Sequence, residues 1–255
     1  MKQNVILDRA VEQPWLDFAL SLDENAPADE RRKLLDVFLR DRVESANARV
    51  KVVRIIARTW ITPPDPARGM IEWAIDRSGK VSDSRTLHIG SLIACYPFFG
   101  QTCSAIGKDL ALHKEVLTTD LRERLKGKWG SREVIDVTSR AAIRTLRGLG
   151  VLRGRKGDSR SELGEKIAPD PFLKPWLLHA LMISRELDEM DEGEALHASE
   201  LFMFDLGSPS KSRYPFLERF NEGGGRTVLR ASPSKPKKLP SAPSQISLAN
   251  EFTWQ

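Results

Sequence analysis

Cysteine is nearly missing from this chain: Cys95 and Cys103 are the two in 255 residues. Two thiols in so long a chain build no disulfide framework, which excludes the stapled scaffolds of small secreted domains. Long apolar runs are missing too. The segment from Trp176 to Ile183 is interrupted by His179 and falls far short of the ~20 residues a membrane span needs. The opening MKQNVILDRAVEQ carries Asp8, Arg9 and Glu12 where a signal peptide requires an apolar core. The expectation is a cytoplasmic protein with no membrane partner. A strong overall charge is lacking as well: 40 Lys and Arg against 35 Asp and Glu leave a net +5, by itself a weak pointer to an anionic partner.

What is present is an ordinary globular composition, 40% apolar and 29% charged, and a length that bounds one or two domains with a real core. Helical spacing of apolar residues dominates the first hundred positions. It predicts helices over 11–22, 26–45, 46–61 and 67–77, with TPPDP at 62–66 as a stop. RTLHIGSLIACYPFF (85–99) reads as a buried helix and 101–115 as a second. TTDLRERLKGKW (118–129) reads as a helix capped by Thr119. Beyond residue 170, one or two helices begin at Pro171 and Pro175. A strand is expected at 200–206, a short helix over 214–225 and a strand at 226–231. Residues 232–250, rich in Pro, Ser and Lys, read as a disordered tail.

The informative stretch is SREVIDVTSRAAIRTLRGLGVLRGRKG, 131–157. Take Ser131 as the cap of a helix ending near Gly148. With Arg140 at zero on the helical wheel, Arg144 lies at about +40°, Arg147 at about −20° and Arg132 near −80°. Ile135, Thr138, Ala142, Leu146 and Leu149 lie on the opposite side. One face serves a core and the other carries guanidiniums. The helix before it ends in Gly130, so the two make a helix-turn-helix pattern. Val151 and Leu152 then start a short strand, RGRKGDSR (153–160) is a glycine-punctuated basic turn, and 161–163 returns as a second strand. From Arg122 to Arg160 there are twelve Lys or Arg against four Asp or Glu, a net of +8, while the whole chain is +5. The positive excess is concentrated here, as phosphate binding requires.

Helix, turn, basic amphipathic helix and strand–turn–strand together resemble the winged-helix family over roughly residues 100–165. In that family the second helix enters the major groove of duplex DNA and the wing lies along the backbone or minor groove. The resemblance implies groove-facing Arg132, Asp136, Ser139, Arg140, Arg144 and Arg147, and wing contacts from Arg153, Arg155, Lys156 and Arg160. Few Asn or Gln on the exposed face imply affinity more than sharp base reading. A wider resemblance, carried by YPFFG, KWGSREVIDVTSRAAIRTLRGLGVL and ELFMFDLG, is to the winged-helix BrxA-type accessory proteins of bacterial BREX phage-defence systems.

No reaction chemistry stands out. His88, Cys95, Cys103 and His113 lie within 26 residues, but their spacing lacks the tight pairs of structural zinc sites. Glu194, His197 and Glu200 find no second Glu-x-x-His for a di-iron bundle. GQTCSAIGKD (100–109) has the wrong spacing for a phosphate loop and an Asp where a hydroxyl must hold magnesium. The expectation is a non-enzyme without metal or cofactor. The expected fold is mainly α: a helical bundle with a winged helix-turn-helix unit and a few short β-strands. Its segments are a helical region at 1–84, the winged-helix unit with supporting helices at 85–168, a helical and short-strand region at 169–231, and a tail at 232–255. The expected partner is double-stranded DNA. A protein-protein adaptor in a multi-subunit complex, using this unit or the acidic 186–194, and a transcriptional regulator are the alternatives.

Overall fold

Proline starts several of the helical elements, because its fixed φ suits the first turn and its missing N–H is one the helix leaves unbonded there anyway. In a computed structural model, which describes residues 7–130, 133–154 and 158–232, Pro14 opens α1 (Gln13–Leu20). Next come α2 (Ala28–Leu39) and α3 (Ala46–Trp60), the latter capped by the Ser45 hydroxyl, which accepts from the Ala48 N–H. Pro66 opens α4 (Asp65–Ile75). The Asp83 carboxylate caps α5 (Ser84–Cys95), and Pro97 begins α6 (Pro97–His113). The expected helix over 85–99 therefore breaks at Tyr96. Pro97 cannot donate back into α5, so Phe98 and Phe99 belong to the next helix, and the two axes bend by 115°.

A short strand that the sequence reading did not anticipate, β1 (Glu115–Leu117), follows α6 directly. Lys114 makes the corner in the left-handed region at φ 64°. Then come α7 (Thr118–Trp129), α8 (Glu133–Gly148), β2 (Leu152–Arg153) and β3 (Arg160–Leu163). Leu117, not Thr119, stands at the α7 cap position. The strands form an antiparallel sheet in the order β1-β3-β2, with Val116 opposite Ser161 and Leu152 opposite Leu163.

A 3-10 turn at Pro171–Leu173 leads into α9 (Lys174–Arg185), then β4 (Glu189–Asp191) and α10 (Glu192–Leu196). The strand expected at 200–206 is instead a 3-10 turn at Ser199–Leu201, with Phe204 making a lone bridge to Ile167. The helix expected over 214–225 is a strand, β5 (Leu217–Gly223), which turns at three glycines of positive φ into β6 (Arg226–Ala231). Pairing with β6 overrides the helical spacing of Phe216 and Phe220, and β4-β6-β5 forms a second sheet. The fold is mainly α with a few short strands. No single helix among the described residues is long and apolar enough to cross a membrane.

One connected core runs from Leu7 to Leu229 through all three segments. Its centre is α5, buried from Thr86 to Cys95, against α9. The two helices touch so closely that a Cβ on Gly90 would lie 2.2 Å from the Trp176 ring. Trp176 is fully buried, and its indole N–H donates to the Met70 carbonyl at 2.9 Å. At Gly107, α6 meets the backbone of the 199–201 turn: a Cβ there would lie 2.2 Å from the Ser199 carbonyl oxygen.

Candidate nucleic-acid interface

The β1–α7–α8–β2–β3 unit is tied to the rest through α6 and the N-terminal segment. The Arg124 guanidinium on α7 donates to Asp109 of α6, whose side chain is 4% exposed. Within the unit, Asp136 near the start of α8 accepts from Arg122 at 2.7 Å and pairs with Lys126 at 3.3 Å. The Arg122 hydrogen bond holds this carboxyl below the ordinary carboxylate range, with Lys126 adding to it. Asp136 is thus a clasp between α7 and α8 and not a group facing a groove.

The residues expected to share one face of α8 divide. Arg140 and Arg144 are exposed. Arg140 Nε donates to its own helix at the Asp136 carbonyl, and neither guanidinium meets an acid among the described residues. Ser139 is fully buried. Its hydroxyl donates to the Ile135 carbonyl at 2.6 Å, which satisfies it without solvent or ligand. The placement of Ser139 on the contact face is therefore corrected: α8 buries a wider arc than its apolar stripe suggests, including Ser139, Ala141 and Thr145.

Arg147 turns away from the crest of α8 to hold the strands. Its guanidinium donates to Ser161 Oγ at 2.7 and 3.1 Å and to the carbonyls of Asp158 and Arg160. The start of β3 and Asp158 before it are thereby fastened to α8. Charged hydrogen bonds contribute about 1.5–3 kcal/mol each, less where solvent shares them. Arg147→Ala is expected to lower stability by about 2 kcal/mol and to speed amide exchange at 158–161. Urea denaturation with hydrogen exchange checks it; unaltered exchange there sinks the fastening role.

At the base of the turn the charges are partly balanced. Arg160 is exposed and reaches Glu115 across the sheet at 3.6 Å. Arg153 is exposed and stands opposite Glu162 in the strand register. Arg132, Arg155 and Lys156 lie outside the described residues, as does Ser131. Of the positive excess counted along the sequence, Arg122, Arg124, Lys126 and Arg147 are engaged inside the protein. Arg140, Arg144, Arg153 and Lys128 are exposed without an ion pair among the described residues.

Most side chains weighed for metal chemistry are buried or paired with other groups. His88 is fully buried with Nε2 2.8 Å from Asp17 Oδ1. Cys95 and Cys103 are buried, and burial raises both thiols, Cys95 to about 12. Glu200 and Glu194 both accept from Arg185. Among the described residues, no group of three or more His, Cys, Asp or Glu is placed to hold a metal ion.

One feature near α8 escaped the sequence reading. The strap Leu7–Val11 crosses beside the helix, with Leu7 and Val11 fully buried at either end. The Val11 N–H donates to Thr145 Oγ1 at 3.1 Å, and a Cβ on Gly148 would lie 3.4 Å from the Val11 carbonyl oxygen. Between strap and helix is an open depression of about 220 Å³ lined by Asp8, Arg9, Ala10, Val137, Arg140, Ala141 and Arg144. No signal in the sequence near Arg9 linked it to residues more than a hundred positions on. The chain matches no family model, no curated protein and no solved structure.

Proposed function

We propose that this chain is a non-enzymatic DNA-binding protein and that its β1–α7–α8–β2–β3 unit is a winged helix. The observation that carries the reading is the exposed pair Arg140 and Arg144, one turn apart on α8 and unopposed by acid among the described residues. The sheet order β1-β3-β2 supports it further, since it sets a two-strand turn beside that helix. A helix ~10–12 Å across fits the ~12 Å major groove of B-DNA, which an A-form RNA groove does not offer. With Ser139 buried and Arg147 engaged, the contact set contracts to Arg140 and Arg144 with Arg153 and Arg160 beside them. Arg132, Arg155 and Lys156 keep their expected roles in this reading. The interaction is with phosphates more than bases.

Arg140→Glu/Arg144→Glu is expected to weaken duplex binding at least ~100-fold at low salt and to flatten the log–log salt dependence by about two. Anisotropy titrations over a salt series read both. Affinity indifferent to charge reversal and to salt overturns the DNA reading.

The adaptor reading draws on a different observation. Leu34 and Val37 on α2 and Val50 on α3 are 45, 54 and 64% exposed, and apolar side chains in such positions suit a protein partner. Placement in a bacterial phage-defence system rests on the resemblance to BrxA-type proteins alone, and the genes beside this one test it; the cytoplasmic location belongs to the same proposal and rests on the charges that interrupt the apolar runs of the sequence.

A further inference from the structure

We propose that the depression between the N-terminal strap and α8 is a binding site for a DNA-backbone phosphodiester, with Arg9 as its third guanidinium. The inference rests on the DNA-binding reading and extends it to a segment far from the helix-turn-helix pattern. Three of the seven lining residues are arginines, Arg9 from the strap and Arg140 and Arg144 from α8. The floor between them is small and apolar: Ala10, Val137 and Ala141. Asp8 is the one acid in the lining, and its carboxylate is engaged by α3, with Arg54 at 3.0 Å and Lys51 at 3.6 Å. Those two cations outnumber it. Arg9 is exposed, and its guanidinium donates within the strap to the Asp8 carbonyl at 3.3 Å. Its other N–H groups meet no acceptor among the described residues and can turn to an incoming oxyanion.

Position decides which anion fits. The crest of α8 is the part that points to the groove floor when such a helix enters a groove, and Arg140 and Arg144 line the depression from that side. The strap lies on the flank, at Ala141 and Thr145, roughly 100–140° around the helix from Arg140. A cation on that flank meets the strand that walls the groove, where phosphates stand, and not the base pairs at its floor. The burial of Leu7 and Val11 fixes the strap, so the arginine reaches its partner with little ordering left to oppose binding.

The test uses the full chain. Arg9→Gln is expected to weaken binding to a mixed-sequence duplex about fivefold at low salt and to reduce the salt slope by about 0.9, the signature of one lost phosphate contact. Arg9→Lys is expected to keep the slope. Thermal melts check that both variants fold as wild type does, as expected for an exposed side chain. If wild type binds duplex and Arg9→Gln leaves affinity and slope unaltered, the site is overturned and the DNA reading stands. If wild type binds no duplex, both fall. Inorganic phosphate alone, titrated at constant ionic strength, separates the sources of the anion: saturable binding that Arg9→Gln removes, with duplex affinity and slope unaltered by the same substitution, would reassign the depression to a free anion and overturn the backbone role.

Discussion

Replacing Trp176 with alanine is expected to destabilise the fold by about 3–5 kcal/mol, the range for deleting a fully buried aromatic ring. Trp176 has no exposed surface, packs against Gly90 of α5 and donates to the Met70 carbonyl. Its removal leaves a void between α5 and α9 that two helices held by many other contacts cannot close. Urea denaturation with an unaltered m-value reads the loss; a change below about 1 kcal/mol means that the helices collapse into the space. The reciprocal change, Gly90→Ala, is expected to destabilise by about 1–3 kcal/mol through overpacking. Helix propensity alone favours that substitution by about 1 kcal/mol, so the sign of the measured effect decides which of the two governs the site.

Stability is also expected to fall as pH drops from 6.5 to about 4, through His179. Burial lowers this imidazole from 6.5 to about 4. It is 7% exposed, stacks on Phe216 and sits 3.0 Å from the Tyr214 hydroxyl. Above pH 6.5 the ring is neutral in folded and unfolded chains alike, and the native state keeps its full stability. As pH falls through the window, the unfolded chain takes up a proton that the folded chain refuses, so unfolding is favoured. The loss is complete below the folded value and amounts to about 3 kcal/mol. Denaturation midpoints across this range check it. His179→Gln is expected to remove that share of the slope, and an unaltered slope in the variant shows that another group is responsible.

The helical frame was legible because its apolar residues recur at the period of a helix and its prolines fall at helix starts. α7 and the strands β2 and β3 were foreseen alike, the strands from Gly148 and Gly150 and the apolar pair after them; the middle of the basic turn, 155–157, lies outside the described residues. β1 was not, since three residues between two helices, with no loop on either side, are too few to show a period. The hairpin at 217–231 was half missed: Phe216 and Phe220 have helical spacing, and only the partner strand decides the outcome. Ser139 misled for a different reason. A hydroxyl counts as polar along a sequence, yet inside a helix it bonds the carbonyl one turn back and can be buried at little cost. The arginine count showed where positive charge concentrates, and pairing decided how much reaches the surface. Asp136 and Asp109 hold three cations of α7, and Arg147 serves the strands. Arg9 was invisible because the strap meets α8 across more than a hundred positions of sequence.

The close approaches at Gly90 and Gly107 also set how this chain can diverge over time. One has an indole ring and the other a backbone carbonyl where a methyl group would stand, so neither position accepts drift without repacking two elements at once. Arg140 and Arg144 are exposed and take no part in that packing, and lysine would preserve their charge. Chains that share this interior are therefore expected to keep these two glycines, while Arg140 and Arg144 are free to vary.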